Sequence, residues 1–597
     1  MPDRIFNRHS SRAFRTRETA DATSGPRLIG YRGAVASHHH QSALAAYDVL
    51  NLGGNAVDAG VAAVLVEGVV NPHMHGPAGE CPILIAGPDT EVTAVNGNTC
   101  APAAATPEAY LERGFTDMPS SGLLAAGVPA SLSALITALH RFGTLPFHVL
   151  VEPAAELARN GFAMHEGLRH QETVGLNPNK QKFSDEWPST AAIYLENGEP
   201  IAIGAPVHNH ALANVYELLA GASRSHASAP KGYDAVRQEF YHGSVATQIE
   251  QHCQRHDGLI TAADLANFST PLEHPLSTLV GEARIFKCSS WCQGPALLQT
   301  LQILKQTRLN TLEHNSTEYL HILAEATKLA YADREQYYAD PQMVDVPLSD
   351  LLSNDYARLR ASLIDPSVAS PLMQPGDPVR GQAVLDRSSW LGGANWGAGT
   401  VHVDVADRHG MIASFTPSGG WLEANAVIPE LGFPLGNRLM TFYLTPEHHP
   451  NRLAPGKRPR TTISPSLVTR DSQPWIAFGS MGGDQQDQWM LQFFLNVVVF
   501  GMTLQQAIDA PKVSSEHFDG FFAPHDRFNR RLRVENQIDS NVIQQLSNRG
   551  HEIDLAPMWT EGYLNAVSRD PDTGALEAAV DPRGARGDVF PATALAW

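Results

Sequence analysis

The chain has 597 residues, 43% of them hydrophobic and 18% charged, which are the proportions of a folded globular protein and not of a fibrous or disordered one. A formal charge of −19 with neutral histidines, with no basic stripe to offset it, argues against nucleic acid and anionic membrane as partners. The five cysteines are scattered, and the close pair Cys288 and Cys292 has no matching second pair, so neither a disulfide framework nor a zinc site is expected.

In chain order, residues 1–28 read as a disordered tail. Arg4, Arg8, Arg12, Arg15 and Arg17 stand among polar residues with no apolar run behind them, so no secretory leader is expected. Together with reduced thiols, this points to a cytoplasmic protein. Gly33 to Ala36 reads as a short strand. Ser37 is placed to cap a helix that runs through Asn51 and stops at Gly53-Gly54. A second, apolar helix is predicted from Ala56 to Val70, ending at Asn71-Pro72. Pro82 to Ala86 and the alternating Glu91 to Asn96 suggest paired strands around a Gly87-Pro88-Asp89 turn.

From about Pro107 to Leu276 the pattern is helical, and helices resume over Ala296 to Ile303 and Thr317 to Tyr331. A proline-containing connection from about Ile364 to Asn395 follows. Beyond it come predicted strands at Val401–Val405, Met411–Phe415 and Trp475–Phe478, a helix near 487–500 and a strand pair near 564–581. The apolar run Trp489 to Phe500 is interrupted by Gln492 and Asn496 and is too short to span a bilayer. Strands at both ends with helices between them suit an α/β fold in which helices cover two packed sheets.

The segment Gly397-Ala398-Gly399-Thr400-Val401-His402-Val403-Asp404-Val405 carries the most chemistry. It places a threonine at a predicted strand start behind small, flexible residues. Cleavage before such a threonine leaves a free amine beside a hydroxyl. An α-amine titrates near pH 7.7–8.0 in model compounds (about the working range), which suits it to act as base toward that hydroxyl.

Several motifs lie around this segment. They are Gly53-Gly54-Asn55-Ala56-Val57-Asp58-Ala59, Val69-Val70-Asn71-Pro72-His73, Ala101-Pro102-Ala103-Ala104-Ala105 and Gly258-Leu259-Ile260-Thr261-Ala262-Ala263-Asp264-Leu265. Pro455-Gly456-Lys457-Arg458-Pro459, Gly479-Ser480-Met481-Gly482-Gly483-Asp484 and Asp581-Pro582-Arg583 follow. In this order they resemble the gamma-glutamyltransferase family of N-terminal-nucleophile hydrolases, from about Gly33 to Leu595.

The resemblance implies a four-layer αββα sandwich made from one precursor. Cleavage between Gly399 and Thr400 would give a large fragment of 399 residues, the tail plus the large subunit 29–399, and a small subunit, 400–597, the two subunits together forming one compact catalytic domain. It makes Thr400 the nucleophile and Gly482 and Gly483 the oxyanion donors. Thr416 and Ser418 become the hydroxyls that orient the nucleophile and its amine, and Thr461 and Thr462 the lining of the acyl pocket. No cofactor is implied; the partners are a small-molecule amide substrate and the protein's own two subunits, and a homodimer of the processed pair is compatible with this.

The departures concern the substrate. The family arginine that holds a glutamyl carboxylate falls on Asn98, the acidic group that holds its ammonium on Thr441, and an asparagine partner on Gly420. Charged recognition of an amino-acid head group is thereby lost. Leu435-Gly436-Asn437-Arg438 and His449-Pro450-Asn451-Arg452-Leu453-Ala454-Pro455-Gly456 are similar to the branch of oxamate amidohydrolases and related acylases. Arg438 is the candidate grip for a substrate carboxylate, with a pair to Glu430 or another carboxylate as its alternative. A self-processing amidohydrolase or acyltransferase acting on a small carboxylate-bearing amide is therefore expected. The alternatives are a true gamma-glutamyl transferase or glutathione hydrolase, and a silent scaffold relative; intact Thr400, Gly482 and Gly483 weigh against the scaffold. His38-His39-His40 at a helix start point in different directions, and His73 and His75 lie in a turn, so no metal is expected.

Overall fold

The computed structural model describes residues 23–385, 399–522, 525–583 and 591–597. Residues 1–22 of the expected tail, 386–395 of the proline-containing connection, and Trp396-Gly397-Ala398 lie outside them. Strand propensity concentrates in short, alternating apolar stretches, and these assemble into two seven-stranded sheets. The first runs, edge to edge, Thr593–Ala596, Gly33–Ser37, Val403–Asp407, Ile412–Phe415, Ile83–Ala86, Thr93–Val95 and Leu272–Glu273, antiparallel throughout. The second runs Leu28–Gly30, Leu576–Val580, Leu564–Arg569, Gln473–Ser480, Ser466–Arg470, Ala283–Lys287 and Leu276–Val280, also antiparallel.

Side-chain alternation sorts the layers. Ala34, Ala36, Ala406 and Ile412 of the first sheet meet Ala477, Val567, Leu576 and Ala578 of the second. Small residues on these inner faces let the sheets come together. Val35, Val403, Val405 and Phe415 point the other way, into a core shared with the helices Ala56–Val70, Ser131–Phe142 and His210–Arg224. On the far side Ile285, Val468, Ile476 and Phe478 pack against Gly294–Leu304, Thr317–Tyr337 and Gln486–Val498. The result is the expected αββα sandwich. Each sheet takes strands from both sides of the Gly399–Thr400 peptide, so the two stretches of chain are interleaved.

Helix Ala56–Val70 matches its prediction residue for residue. Asn55 and Asp58 close a capping box, and every helical residue is buried. Three local readings change. The cap of the preceding helix, His40–Asn51, is His39, whose ring accepts from the Gln41 N–H. The Ser37 hydroxyl instead donates within a buried network to Glu67 at 2.6 Å. The strand after the Thr400 segment starts at Val403, so Thr400 lies ahead of it and is held by an isolated bridge to Ser418. Part of the expected tail is structured: Ser24 hydrogen-bonds Asp509, Arg27 pairs with Glu577 at 2.8 Å, and Leu28 opens a strand.

Candidate active site

Ser418 is the centre of the site. Its backbone exchanges hydrogen bonds with Glu80 on one side, while the Val401 N–H donates to Pro417 O on the other. Two chain segments distant in sequence are thereby laid against residues 417–418. Thr400 Oγ1 sits 3.1 Å from Ser418 Oγ, and Ser418 Oγ donates to the carbonyl oxygen of Gly399 at 2.7 Å. Thr400 is 1% exposed. A hydroxyl is thus held beside the very peptide bond that precedes it. Only glycine fits at 399, because a Cβ there would lie 2.7 Å from His73 O and 2.8 Å from Met74 Sδ.

Thr416 takes a different direction from the one expected. Its hydroxyl lies 3.0 Å from His402 Nδ1, and His402 Nε2 lies 2.9 Å from Asp404 Oδ1. Burial pushes the Asp404 carboxyl upward, and His402 opposes the shift. Thr416 therefore meets a buried histidine–carboxylate pair. The sequence shows His402 and Asp404 only as polar positions alternating with Val401, Val403 and Val405, a pattern that a half-exposed strand gives equally.

Gly482 and Gly483 both have left-handed backbone, with φ of 115° and 57°. Among the described residues, neither glycine N–H donates to a backbone carbonyl. They follow the strand Gln473–Ser480 and precede helix Gln486–Val498, whose N-terminal end adds positive potential. The adjoining Met481 packs in one buried cluster with Val401 and Met74, which brings this turn to the Thr400 segment. Thr461 is fixed by the backbone bonds of its N–H to Trp291 O and its carbonyl to Gln293 N. Thr462 Oγ1 is buried with no hydrogen-bond partner among the described residues, as is Asn98 Oδ1.

Arg438 departs from expectation. It is 2% exposed, and its Nε and Nη2 donate to Glu80 Oε2 at 3.2 and 3.1 Å, while Nη2 also donates to Ser418 Oγ at 2.8 Å. Its partner is Glu80, not Glu430, which faces Arg255. A guanidinium already neutralised in this way is not the free carboxylate grip that was expected. Asn98 and Thr441 are also occupied: Asn98 Nδ2 donates to Pro459 O at 2.6 Å and Thr441 Oγ1 to Arg438 O at 2.8 Å. Gly420 has φ of 70° and packs on the Gly76 backbone.

The histidine run is divided among separate tasks. His38 Nδ1 accepts from the His402 N–H at 3.0 Å, and burial pushes this imidazole down to about 3. With Nδ1 as acceptor, Nε2 carries the proton toward Tyr563 O. His39 caps its helix, and His75 lies between Ser418 O and Ser131 Oγ. Elsewhere, His321, Glu325 and His551 bring ligand atoms within 4.8 Å of one another. Lys328 Nζ already lies 2.6 Å from Glu325, and its charge opposes a cation there. Among the described residues, no helix is long and apolar enough to cross a membrane.

Two stacked antiparallel sheets between helices form the αββα sandwich of the N-terminal-nucleophile hydrolase class. Comparison with known proteins narrows this. Residues 42–590 match the model of the gamma-glutamyltranspeptidase family, and the chain belongs to that family. It is 31% identical to the acylase ACY 1 proenzyme of Pseudomonas sp. (strain SE83), over 92% of each chain. It is 29% identical to the glutathione hydrolase proenzyme of Bacillus subtilis (strain 168), over 93% of this chain and 90% of the relative. The solved structure of LmbA2991HD superposes with a TM-score of 0.90 at 38% identity, covering 96% of this chain and all of that one. The protein is accordingly an amide hydrolase or acylase of this family.

Proposed function

We propose that this chain is a self-processing amidohydrolase that cuts its own Gly399–Thr400 peptide and then turns over small amides through an acyl-enzyme on Thr400. The observation that carries the reading is the triangle of Thr400 Oγ1, Ser418 Oγ and the Gly399 carbonyl oxygen. In the uncut chain Thr400 Oγ1 attacks the Gly399 carbonyl carbon, the acyl group passes from nitrogen to oxygen, and water hydrolyses the ester. The freed amine then acts as base for each substrate. Gly482 and Gly483 supply N–H groups to the oxyanion of the acyl-transfer step, where one such donor contributes about 3 kcal/mol. Thr461 and Thr462 line the acyl pocket, the unpartnered Thr462 hydroxyl facing a substrate acceptor. The relatives' designation as proenzymes agrees with a processed product made of residues 1–399 and 400–597.

The same reading makes the acyl group something other than gamma-glutamyl. Asn98, Thr441 and Gly420 offer no charge to either end of a glutamyl head group, and a buried carboxylate without its arginine loses about 3 kcal/mol, roughly a hundredfold in kcat/KM. A carboxylate-bearing amide would need Arg438 as its grip. Drawing that side chain away from Glu80 would break a buried ion pair, at a cost of about 3–5 kcal/mol. We therefore favour a compact, uncharged acyl group. Steady-state kinetics on matched anilides should give a kcat/KM for the neutral acyl compound at least roughly a hundredfold above that for the gamma-glutamyl compound. Efficient hydrolysis of glutathione would restore the glutamyl reading.

Maturation depends on the absence of a side chain at 399. Gly399→Ala places a methyl against His73 O and Met74, which displaces the scissile carbonyl from Ser418. The variant is expected to process at least roughly tenfold more slowly, since the hydrogen bond and attack geometry are lost together. Densitometry of the two fragments over time on a denaturing gel checks this. Wild-type kinetics would mean that the carbonyl is not held as argued.

A further inference from the structure

Glu80 and Arg438 form a buried ion pair, 1% exposed on each side chain, directly behind Ser418. Both side chains occupy space that neighbouring residues leave. A Cβ on Gly419 would lie 2.3 Å from Glu80 Oε2, so the glycine there, with φ of 77°, makes room for the carboxylate. Trp421 lies beneath the guanidinium, with the Arg438 Cζ 5.2 Å from its ring centroid.

The hydrogen inventory at Ser418 then has one solution. A guanidinium only donates, so Ser418 Oγ accepts from Arg438 Nη2. The Gly399 carbonyl only accepts, so the single Ser418 hydrogen goes to it. The contact between Thr400 Oγ1 and Ser418 Oγ can then be made only with Thr400 as donor, into the remaining Ser418 lone pair. Without Arg438, the Ser418 hydroxyl could rotate its hydrogen toward Thr400 and leave the Gly399 oxygen unbonded.

We propose that the Glu80–Arg438 pair is a positioning device for self-cleavage, locking Ser418 with its hydrogen on the scissile carbonyl and its lone pair on the nucleophile's proton. The inference rests on Thr400 being the self-cleaving residue. In the step so arranged, the bond from Thr400 Oγ1 to the Gly399 carbonyl carbon forms as the carbonyl π pair moves onto oxygen. That oxygen takes the Ser418 hydrogen, and Ser418 takes the hydrogen of Thr400. The carbon–nitrogen bond then breaks, the nitrogen takes the hydrogen from the adduct's hydroxyl, and an ester and a free amine remain. Arg438 loses no proton. It strengthens Ser418 as a donor through a charge-assisted bond, and Glu80 holds the guanidinium plane in place.

The test follows the full chain, pulse-labelled during cell-free synthesis, as it converts to two fragments on a denaturing gel. Arg438→Gln should slow conversion by roughly ten- to a hundredfold, the range for losing a hydrogen bond to a charged group. Because that change strands the Glu80 charge, Glu80→Gln/Arg438→Met serves as the second variant; it leaves no unpaired ion, should melt near the wild-type temperature, and should be equally slow. The decisive readout is non-additivity. In a Ser418→Ala background, the Arg438→Gln change should slow the residual rate no further. Equal slowing in both backgrounds would make the pair a packing element and overturn the proposal, as would wild-type conversion by the folded charge-free variant. A wild-type chain that is never cut would overturn the Thr400 reading and this inference with it.

Discussion

Thr400→Ala is expected to yield one uncut chain of 597 residues with no turnover, against two fragments and full activity for the wild type. In the proposed mechanism the same oxygen serves twice, first against the Gly399 carbonyl and then against each substrate, so its loss removes both reactions rather than weakening either. Nothing else need change. The Ser418 hydroxyl still reaches the Gly399 oxygen, and Thr400 contributes its methyl only to a well-filled site. Thr400→Ser keeps the hydroxyl but gives up the stiff branched rotamer that aims it, and should be cut more slowly but completely. In the wild type, both sheets are built from strands on either side of the cut. The fragments should therefore co-elute as one particle by gel filtration while separating on a denaturing gel. A small fragment whose N-terminal residue is not Thr400 would refute the assignment, and so would activity in the alanine variant.

What could be read in the sequence was what local rules govern. Helix Ala56–Val70 was exact because Asn55 and Asp58 form a capping box and Asn71-Pro72 ends it. The strands at 412–415, 564–569 and 576–580 followed from alternation between turns. Ser37 misled because a cap is identified by side-chain direction, and burial had already turned its hydroxyl toward Glu67. In the site, Thr400 and the Gly482-Gly483 turn stood out only through the ordered set of motifs around them, since a Gly-Thr strand start or a Gly-Gly turn is common by itself. Glu80 did not: its meaning depends on Arg438, 358 residues away, and no periodicity encodes that distance. The same contact changes Arg438 from a candidate substrate ligand into a partner of Ser418. His402 and Asp404 were present in the quoted segment, but a polar face on a buried strand becomes informative only once the strand is known to be buried on both sides.

The two glycines of the proposed oxyanion site should respond unequally to the same small substitution. At Gly482 an added methyl would lie 2.3 Å from the Trp489 ring, which is itself buried and tied through Nε1 to Glu561 at 3.0 Å. The turn has to move, and with it the N–H groups aimed at the oxyanion. Gly482→Ala should therefore lose roughly a hundredfold or more in kcat, the usual effect of removing one such donor. At Gly483 the nearest atom to an added methyl is Phe522 at 3.9 Å, so the cost is confined to placing alanine at φ of 57°, about 1–2 kcal/mol. Gly483→Ala keeps its N–H in place and should stay within roughly tenfold of wild type. Both variants should still cut themselves, because during maturation the carbonyl oxygen is held by Ser418 rather than by the glycine turn. Measuring fragment formation and acyl turnover on the same preparations separates the two reactions. Loss of self-cleavage in Gly482→Ala would show that maturation and turnover share one oxyanion site; equal turnover by the two variants would remove the glycine turn from the mechanism.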